Sequence, residues 1–97
     1  MNQVQQILER IKLLLIKLGF KEITITNQYR SEVNYVRGDL FCIPQYVESL
    51  GFLVEYAFSF QEAQKHFHED GESFPLAMGE NAILAGIEAG IRKNMQN

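Results

Sequence analysis

Three side chains in the second half of the sequence have the types and the spacing of metal ligands. Glu62, His66 and Asp70 are four residues apart, so a helix would place them along one face. Carboxylate and imidazole groups at this spacing can bind a divalent cation. His68 is close by, but a helix would turn it about 200° away from His66. The three residues are therefore the candidate metal ligands, and the alternative is a solvated helix face with an ordinary Glu–His pair.

The sequence also contains the residue types of a nucleophilic site. Cys42 together with His66 or His68 could supply a thiol and a general base. Cys42 lies in an apolar run, however, where a thiol usually behaves as a small buried hydrophobic group with a raised pKa. For general acid–base chemistry Glu55 is the candidate by position, because it lies inside a predicted strand; the alternative places it on the solvent face. No catalytic residue is assigned and no cofactor is predicted, so a non-enzymatic protein is favoured.

The elements that would position these residues are organised around one alternating stretch between Gly51 and Phe60. Large apolar side chains occupy every second position there, which is typical of a strand with one buried face. These side chains are Phe52, Val54, Tyr56 and Phe58. The helices before and after this strand are expected to cover its apolar face.

Three helices are predicted around this strand. Apolar residues recur at helical spacing over 4–18, after an N-cap at Asn2. A capping box that begins at Ser59 starts a second long helix, which should end at 70–71. The last helix spans 80–95, with basic residues near its C-terminus.

The remaining pattern predicts strands. Residues 21–28 and 32–37 alternate as half-buried strands do, and 40–43 resembles a third strand. Residues 44–50 are undecided between a short helix and a strand. The predicted fold class is α+β: a mostly antiparallel sheet of three to four strands, with an N-terminal helix and two C-terminal helices packed on one face.

Composition limits the class of protein. Residues 1–97 are predicted to form a single small globular domain, since an apolar content of 46% with only two prolines is unlike disordered or fibrous chains. One cysteine cannot form an internal disulfide, so a cytoplasmic location is expected. Charged residues interrupt the first apolar segment, so no signal peptide and no membrane partner are predicted.

Charge is distributed unevenly along the sequence. Between Glu55 and Glu88 there are seven acidic residues and a single base, Lys65. Nucleic-acid binding depends on clustered cations, so nucleic acid is not predicted as a partner. A basic protein partner is favoured over nucleic acid, and the alternative is an acidic surface that only keeps the protein soluble.

Two apolar or small-residue surfaces could meet a partner. Leu13 and Ile16 point away from the apolar stripe of the first helix, so either another element covers them or they form an exposed apolar spot that a partner or a second copy buries. Small residues line one side of the last helix, where a close neighbour or simple tolerance would explain them. The candidate interaction residues are Leu13, Ile16, Glu69, Asp70, Ala82, Gly86 and Ala89.

The function predicted from these features is a non-enzymatic protein–protein interaction or self-associating module, such as a homodimer. An inhibitor-like or immunity-like protein that neutralises a basic partner is one form of it. The alternative is a small metal-binding protein or enzyme that uses Glu62, His66 and Asp70. A small-ligand pocket between sheet and helices is a third reading, without a converging set of polar residues to support it.

Overall fold

In the computed structural model, which describes residues 2–96, the chain has the predicted α+β architecture. The elements are α1 (Gln3–Lys17), β1 (Lys21–Thr26), β2 (Ser31–Arg37), β3 (Leu40–Val47), β4 (Gly51–Ala57), α2 (Phe60–Gln64), β5 (Glu69–Asp70), a 3-10 turn (Leu76–Met78) and α3 (Glu80–Met95).

The five strands form one antiparallel sheet in the order β1-β2-β3-β4-β5. The sheet has five strands and not the predicted three to four; the additional edge strand arises because Glu69 and Asp70, predicted to lie in a helix, pair with β4. Residues 44–47, undecided from the sequence, continue β3. Pro44 fits there because the pairing of β3 with β2 ends at Cys42, which leaves β3 paired on one side only.

Helices α1 and α3 cover one face of the sheet, which we call the helical face. Phe52, Val54 and Tyr56 pack into the core on this face, as the alternation predicted. Phe58 does not, because β4 ends at Ala57 and the Phe58 side chain is 38% exposed. The central stretch is therefore a strand that presents three large side chains to the helices, rather than four.

The N-terminal helix forms as predicted. The Asn2 side-chain oxygen accepts the backbone N–H of Gln5 at 2.8 Å, which satisfies one free amide of the first turn. The stripe continues into the core through Ile7, Ile11 and Leu15, all fully buried. Arg10 forms an ion pair with Glu80, which joins α1 to the first turn of α3. Within residues 2–96 no helix is both long and apolar enough to cross a bilayer.

The short helix α2 lies on the opposite, second face of the sheet. Its buried residue Ala63 packs with Ile25, Phe41 and Ala57 in a separate apolar cluster. Only α1 and α3 therefore share a face, whereas the sequence predicted both C-terminal helices on one side.

Helix α2 ends at Gln64 and does not continue to Asp70 as predicted. The capping box itself is present, since the Glu62 N–H donates to Ser59 Oγ at 3.1 Å. After Gln64, however, the next six residues contain one large apolar side chain, too few to bury a helical stripe. His66 has a positive φ of 60°, which ends the helical turn and reverses the chain.

Candidate functional site

The segment between β4 and β5, residues 58–70, crosses the second face of the sheet and returns; we call it the strap. Helix α2 carries it from β4 to β1. At the far side the Asn27 side-chain amide donates to the carbonyl oxygen of Gln64 at 2.9 Å. The chain then turns back, and Glu69 and Asp70 pair with β4. The strap thus places residues from both halves of the sequence in contact.

Both histidines of the chain face β2 from the inner side of the strap. His66 Nδ1 contacts the carboxylate of Glu32, whose other oxygen lies 3.4 Å from the Arg30 guanidinium. His68 Nε2 lies 3.4 Å from Asn34 Oδ1. Burial lowers the pKa of His68, which favours the neutral ring. The two imidazoles therefore connect the strap to polar side chains of β2.

Four polar atoms of this cluster are buried without a hydrogen bond of regular geometry among the described residues: Asn34 Nδ2, both ring nitrogens of His66, and the Glu32 carboxylate oxygen that contacts His66 Nδ1. Asn34 is itself fully buried. An unpaired buried polar group costs about 1–3 kcal/mol, so the surrounding packing must compensate. Because neither ring nitrogen of His66 is open to solvent, a substrate could not reach them while the strap is in place. The arrangement is that of an internal anchor.

A second polar pair lies where the strap rejoins the sheet. Glu55 of β4 is directly opposite Asp70 of β5. Burial, followed by the hydrogen bond and the charge of Asp70, raises the pKa of Glu55 to about 7, while the Gln45 amide that contacts its carboxyl acts in the other direction. A carboxyl group that titrates near neutrality has the property of a general acid or base.

The outer side of the strap exposes aromatic rings beside carboxylates. The side chain of Phe67 is 65% exposed and that of Phe60 is 52% exposed. An open depression beside Phe67 is lined by Glu62, His66, Phe67, His68 and Glu69. The Phe67 N–H donates to the carbonyl of Glu62 at 2.9 Å, which fixes these two residues next to each other. Glu55 is not among the lining residues, so this depression does not offer its carboxyl group a substrate.

The structure does not place the three predicted metal ligands on one helix face. Glu62 caps α2, and one of its carboxylate oxygens accepts the Phe58 N–H at 3.0 Å. His66 turns inward to Glu32, and Asp70 pairs with β4. In the described part of the chain, no three His, Cys, Asp or Glu side chains are grouped to hold one metal ion. The early end of α2 removes the spacing on which the metal prediction depended.

Cys42 and the histidines lie on opposite faces of the sheet. Cys42 is fully buried in the core beneath α1 and α3, whereas His66 and His68 belong to the second face. Burial also raises the pKa of the Cys42 thiol to about 12. The thiol therefore has no general base beside it and remains protonated, as the apolar context predicted.

The apolar residues predicted to leave the stripe of α1 are exposed. Leu13 is 66% exposed and Ile16 is 49% exposed, so no element of residues 2–96 covers them. They line a depression with Glu22 and Tyr35 of the neighbouring strands, and the Tyr35 hydroxyl donates to Glu22 at 3.0 Å. Of the two alternatives open from the sequence, an exposed apolar spot is the one observed.

The small-residue side of α3 has its close neighbour within the same chain. A side chain at Gly86 would overlap the ring of Phe74, which packs against the helix at this point. Phe74 is held there by two backbone hydrogen bonds of 2.8 Å with Phe52. Ala82 and Ala89 are exposed. Gly86 is thus explained by internal packing, while the exposed alanines remain predicted interaction residues.

The sequence alone did not identify Glu32 and Asn34. Both alternate with apolar residues of β2 and would normally be assigned to a solvent face. Their signal is indirect: the only two histidines of the chain lie two residues apart in the strap and need polar partners when buried. Which strand supplies those partners depends on the path of the strap.

Comparisons with known proteins leave the function to be argued from this geometry. The sequence matches no protein-family model, and no significant match is found among curated proteins or solved structures.

Proposed function

We propose that this chain is a non-enzymatic binding protein that uses the outer side of the strap to meet a basic region of another protein. The proposal rests on one observation, the exposure of Phe67 between the carboxylates of Glu62 and Glu69. Neutralisation of a basic partner, as an inhibitor or immunity-like protein would do, is one form of this function.

The exposed aromatic ring supports a protein partner. A phenylalanine that is mostly in contact with water forgoes the stabilisation of burial, which is about 1.5–3 kcal/mol for a side chain of this size. Aromatic residues are enriched in the buried centre of protein interfaces, where a few of them contribute most of the affinity. Phe67 has the exposure of such an anchor, and the hydrogen bond from its N–H to the Glu62 carbonyl holds its backbone in the folded strap.

The carboxylates around the ring support a basic partner. Glu62 and Glu69, which line the depression with Phe67, are exposed, and neither takes part in the ion pairs found within residues 2–96. Complementary charge raises association rates and selects the partner. A lysine or arginine side chain could also stack on the Phe67 ring as a cation–π pair.

The polar interior of the strap supports binding rather than catalysis. His66 is enclosed, the Cys42 thiol is protonated in the core, and the depression beside Phe67 lacks a free base with a nucleophile next to it. These groups instead fix the strap against the sheet, so that Glu62, Phe67 and Glu69 are presented in one arrangement. Such preorganisation reduces the entropy lost on binding.

The test is capture of a partner from extracts of the source cells on the immobilised protein. Wild type, a Glu62→Gln/Glu69→Gln variant and Phe67→Ala are compared, with Glu48→Gln/Glu88→Gln as a control of equal charge change. Glutamine keeps the hydrogen-bond acceptor that caps α2. We expect a basic protein, identified by mass spectrometry, whose retention falls at least about tenfold in both strap variants, or roughly 1.4 kcal/mol.

Salt dependence gives a second measurement of the same contact. Rising salt should elute the partner from wild type and control at the same concentration, because exposed charges are screened. If no protein is retained, or if the strap variants and the control retain it equally, the proposal is wrong.

A further inference from the structure

The two edges of the sheet differ in how they are covered. Beyond β4 the chain itself continues the pairing: β5 pairs first, the Gly71 N–H donates to the Val54 carbonyl at 3.0 Å, and Phe74 then pairs with Phe52. At the other edge β1 has β2 as its one neighbour in the described sheet. Alternate residues of β1 therefore direct backbone N–H and C=O groups outward.

Exposed apolar side chains lie beside this bare edge. Leu13 and Ile16 of α1 are exposed on the helical face, and Val33, which pairs with Thr24 of β1, is 47% exposed on the same face by strand alternation. Three large apolar side chains are thus exposed near the open edge of β1 in the described sheet. Such a grouping is typical of a surface that another chain covers.

We propose that a second copy of this chain binds here, with β1 pairing antiparallel to β1 of that copy around a two-fold axis. An antiparallel edge is self-complementary under a two-fold rotation, so each copy satisfies the outward groups of the other. The depression beside Phe67 shares no residue with the depression beside Leu13 and Ile16, so the proposal does not depend on the function proposed above.

The charges at this surface fit a second copy better than a basic protein. The depression beside Leu13 and Ile16 is lined by two acids, Glu9 and Glu22, and by one base, Lys12. Lys12 is ion-paired with Glu9 of the same chain, so a second copy meets a surface of mixed charge with little like-charge repulsion. The depression beside Phe67, by contrast, is lined by two acids, Glu62 and Glu69, and by no lysine or arginine.

Interface size requires that α1 takes part. A stable interface buries about 800 Å² on each partner, which is roughly one-eighth of the 6029 Å² accessible surface of this chain. Backbone pairing of the six residues of β1 alone would bury less than that area. The exposed side chains of α1 supply the remainder, since they project beside the same edge.

Strand geometry determines where the axis lies. Directly opposed residues of antiparallel strands point to the same face of the sheet. The two-fold axis must therefore lie where a residue of β1 opposes the same residue of the second copy, because an axis between two residues would oppose side chains of different faces. An axis at Glu22 would oppose two carboxylates. An axis at Thr24 pairs Ile23 with Ile25 of the second copy and Glu22 with its Thr26, which joins apolar to apolar and leaves no like charges opposed.

Two measurements test this arrangement. Analytical ultracentrifugation of the purified chain over a concentration series should show a dimer. We expect Leu13→Glu and Ile16→Glu to raise the dimer dissociation constant at least about tenfold, while Leu50→Glu, an equally exposed position in the turn before β4, leaves it unchanged. A monomer at all concentrations, or a dimer that tolerates both α1 variants, overturns the proposal.

The register is tested by cross-linking. Thr24→Cys places two thiols opposite each other at strand-pair distance, which suits a disulfide. Oxidation should therefore link Thr24→Cys chains covalently but leave Thr26→Cys chains unlinked, and Cys42 does not interfere because it is fully buried. Wild-type dimers whose Thr24→Cys form does not cross-link would overturn the register centred on Thr24.

Discussion

At the scale of residues, the polar side chains of the second face have competing demands. Asn34 is fully buried with one unpaired nitrogen, while Glu32 is shared between Arg30 and His66. Opposite β5, Glu55 lies beside a second carboxyl group instead of a cation. Replacing buried polar pairs with apolar residues is often neutral or stabilising, so we expect these contacts to set the orientation of the strap more than they raise the stability of the fold.

Glu55 should make stability depend on pH in a defined direction. The pKa of Glu55 is about 7 in the folded protein, above its ordinary value of 4.5, so between these pH values the folded state binds more protons than the unfolded state. Stability from this group is therefore present below about pH 4.5 and is lost as pH rises to 7. Burial lowers the pKa of His68, whose contribution instead falls as pH decreases.

Replacing Glu55 by glutamine isolates the first of these effects. We expect Glu55→Gln to be more stable than wild type above pH 7, by less than about 1 kcal/mol because the carboxyl group is only partly shielded from water. The difference should vanish near pH 4.5. Urea unfolding across this range measures it, with Glu48→Gln as the control. A constant difference at all pH values would contradict the raised pKa.

At the scale of elements, the parts that the sequence predicted are those whose pattern is local. Helix α1 follows from one apolar stripe with a cap at Asn2, and β4 from the alternation of Phe52, Val54 and Tyr56. The sequence predicted α2 to be too long, because the capping box identifies where the helix begins but no glycine or proline identifies its end at Gln64. The residue that ends it, His66, adopts a left-handed conformation that its type does not require.

The candidate site was predictable only in part for the same reason. The histidines and the acids of the strap stood out by type and spacing, and Glu55 by its position within a strand. Their partners on β2 did not, because contacts between residues 30 or more positions apart depend on where the strap crosses the sheet. Glu62, His66 and Asp70 would share a face only if one helix ran from Ser59 to Asp70, and α2 ends at Gln64.

The packing of α3 against Phe74 can be tested at Gly86. Alanine in a helix is favoured over glycine by about 1 kcal/mol, but here its methyl group would overlap the Phe74 ring. We expect Gly86→Ala to destabilise the protein by about 1–3 kcal/mol. Thermal unfolding should show recovery when Phe74→Leu is added. A stabilised Gly86→Ala variant would mean that the ring moves aside at little cost.

At the scale of the whole molecule, the two faces of the sheet differ in how they are stabilised. The helical face holds a large apolar core, including Phe52, Ile87 and Ile91. The second face has a small apolar cluster around Ala63 and the polar contacts of the strap. Cooperative units with few buried apolar contacts open most readily, so stability should be lower on the second face.

Native-state hydrogen exchange would reveal this difference. The strap amides of Ala63, His66 and Phe67 donate to carbonyls within the strap. We expect them to exchange by a local opening well before the amides of Ile11 and Val54, which should require global unfolding. Equal exchange free energies for both groups would show that the strap and the core unfold together.

The covering of β4 by residues 69–74 also limits what the sheet can become. A fibre that grows by strand pairing needs two open sheet edges on every molecule. Here one edge ends in the two-residue strand β5, followed by Gly71 and Pro75, which makes it a poor partner for another strand. When two molecules pair through the other edge, β1, that edge is occupied in both of them. If two copies pair through β1 as proposed, growth stops at the dimer, and the open edge of β1 is then not available for fibre formation.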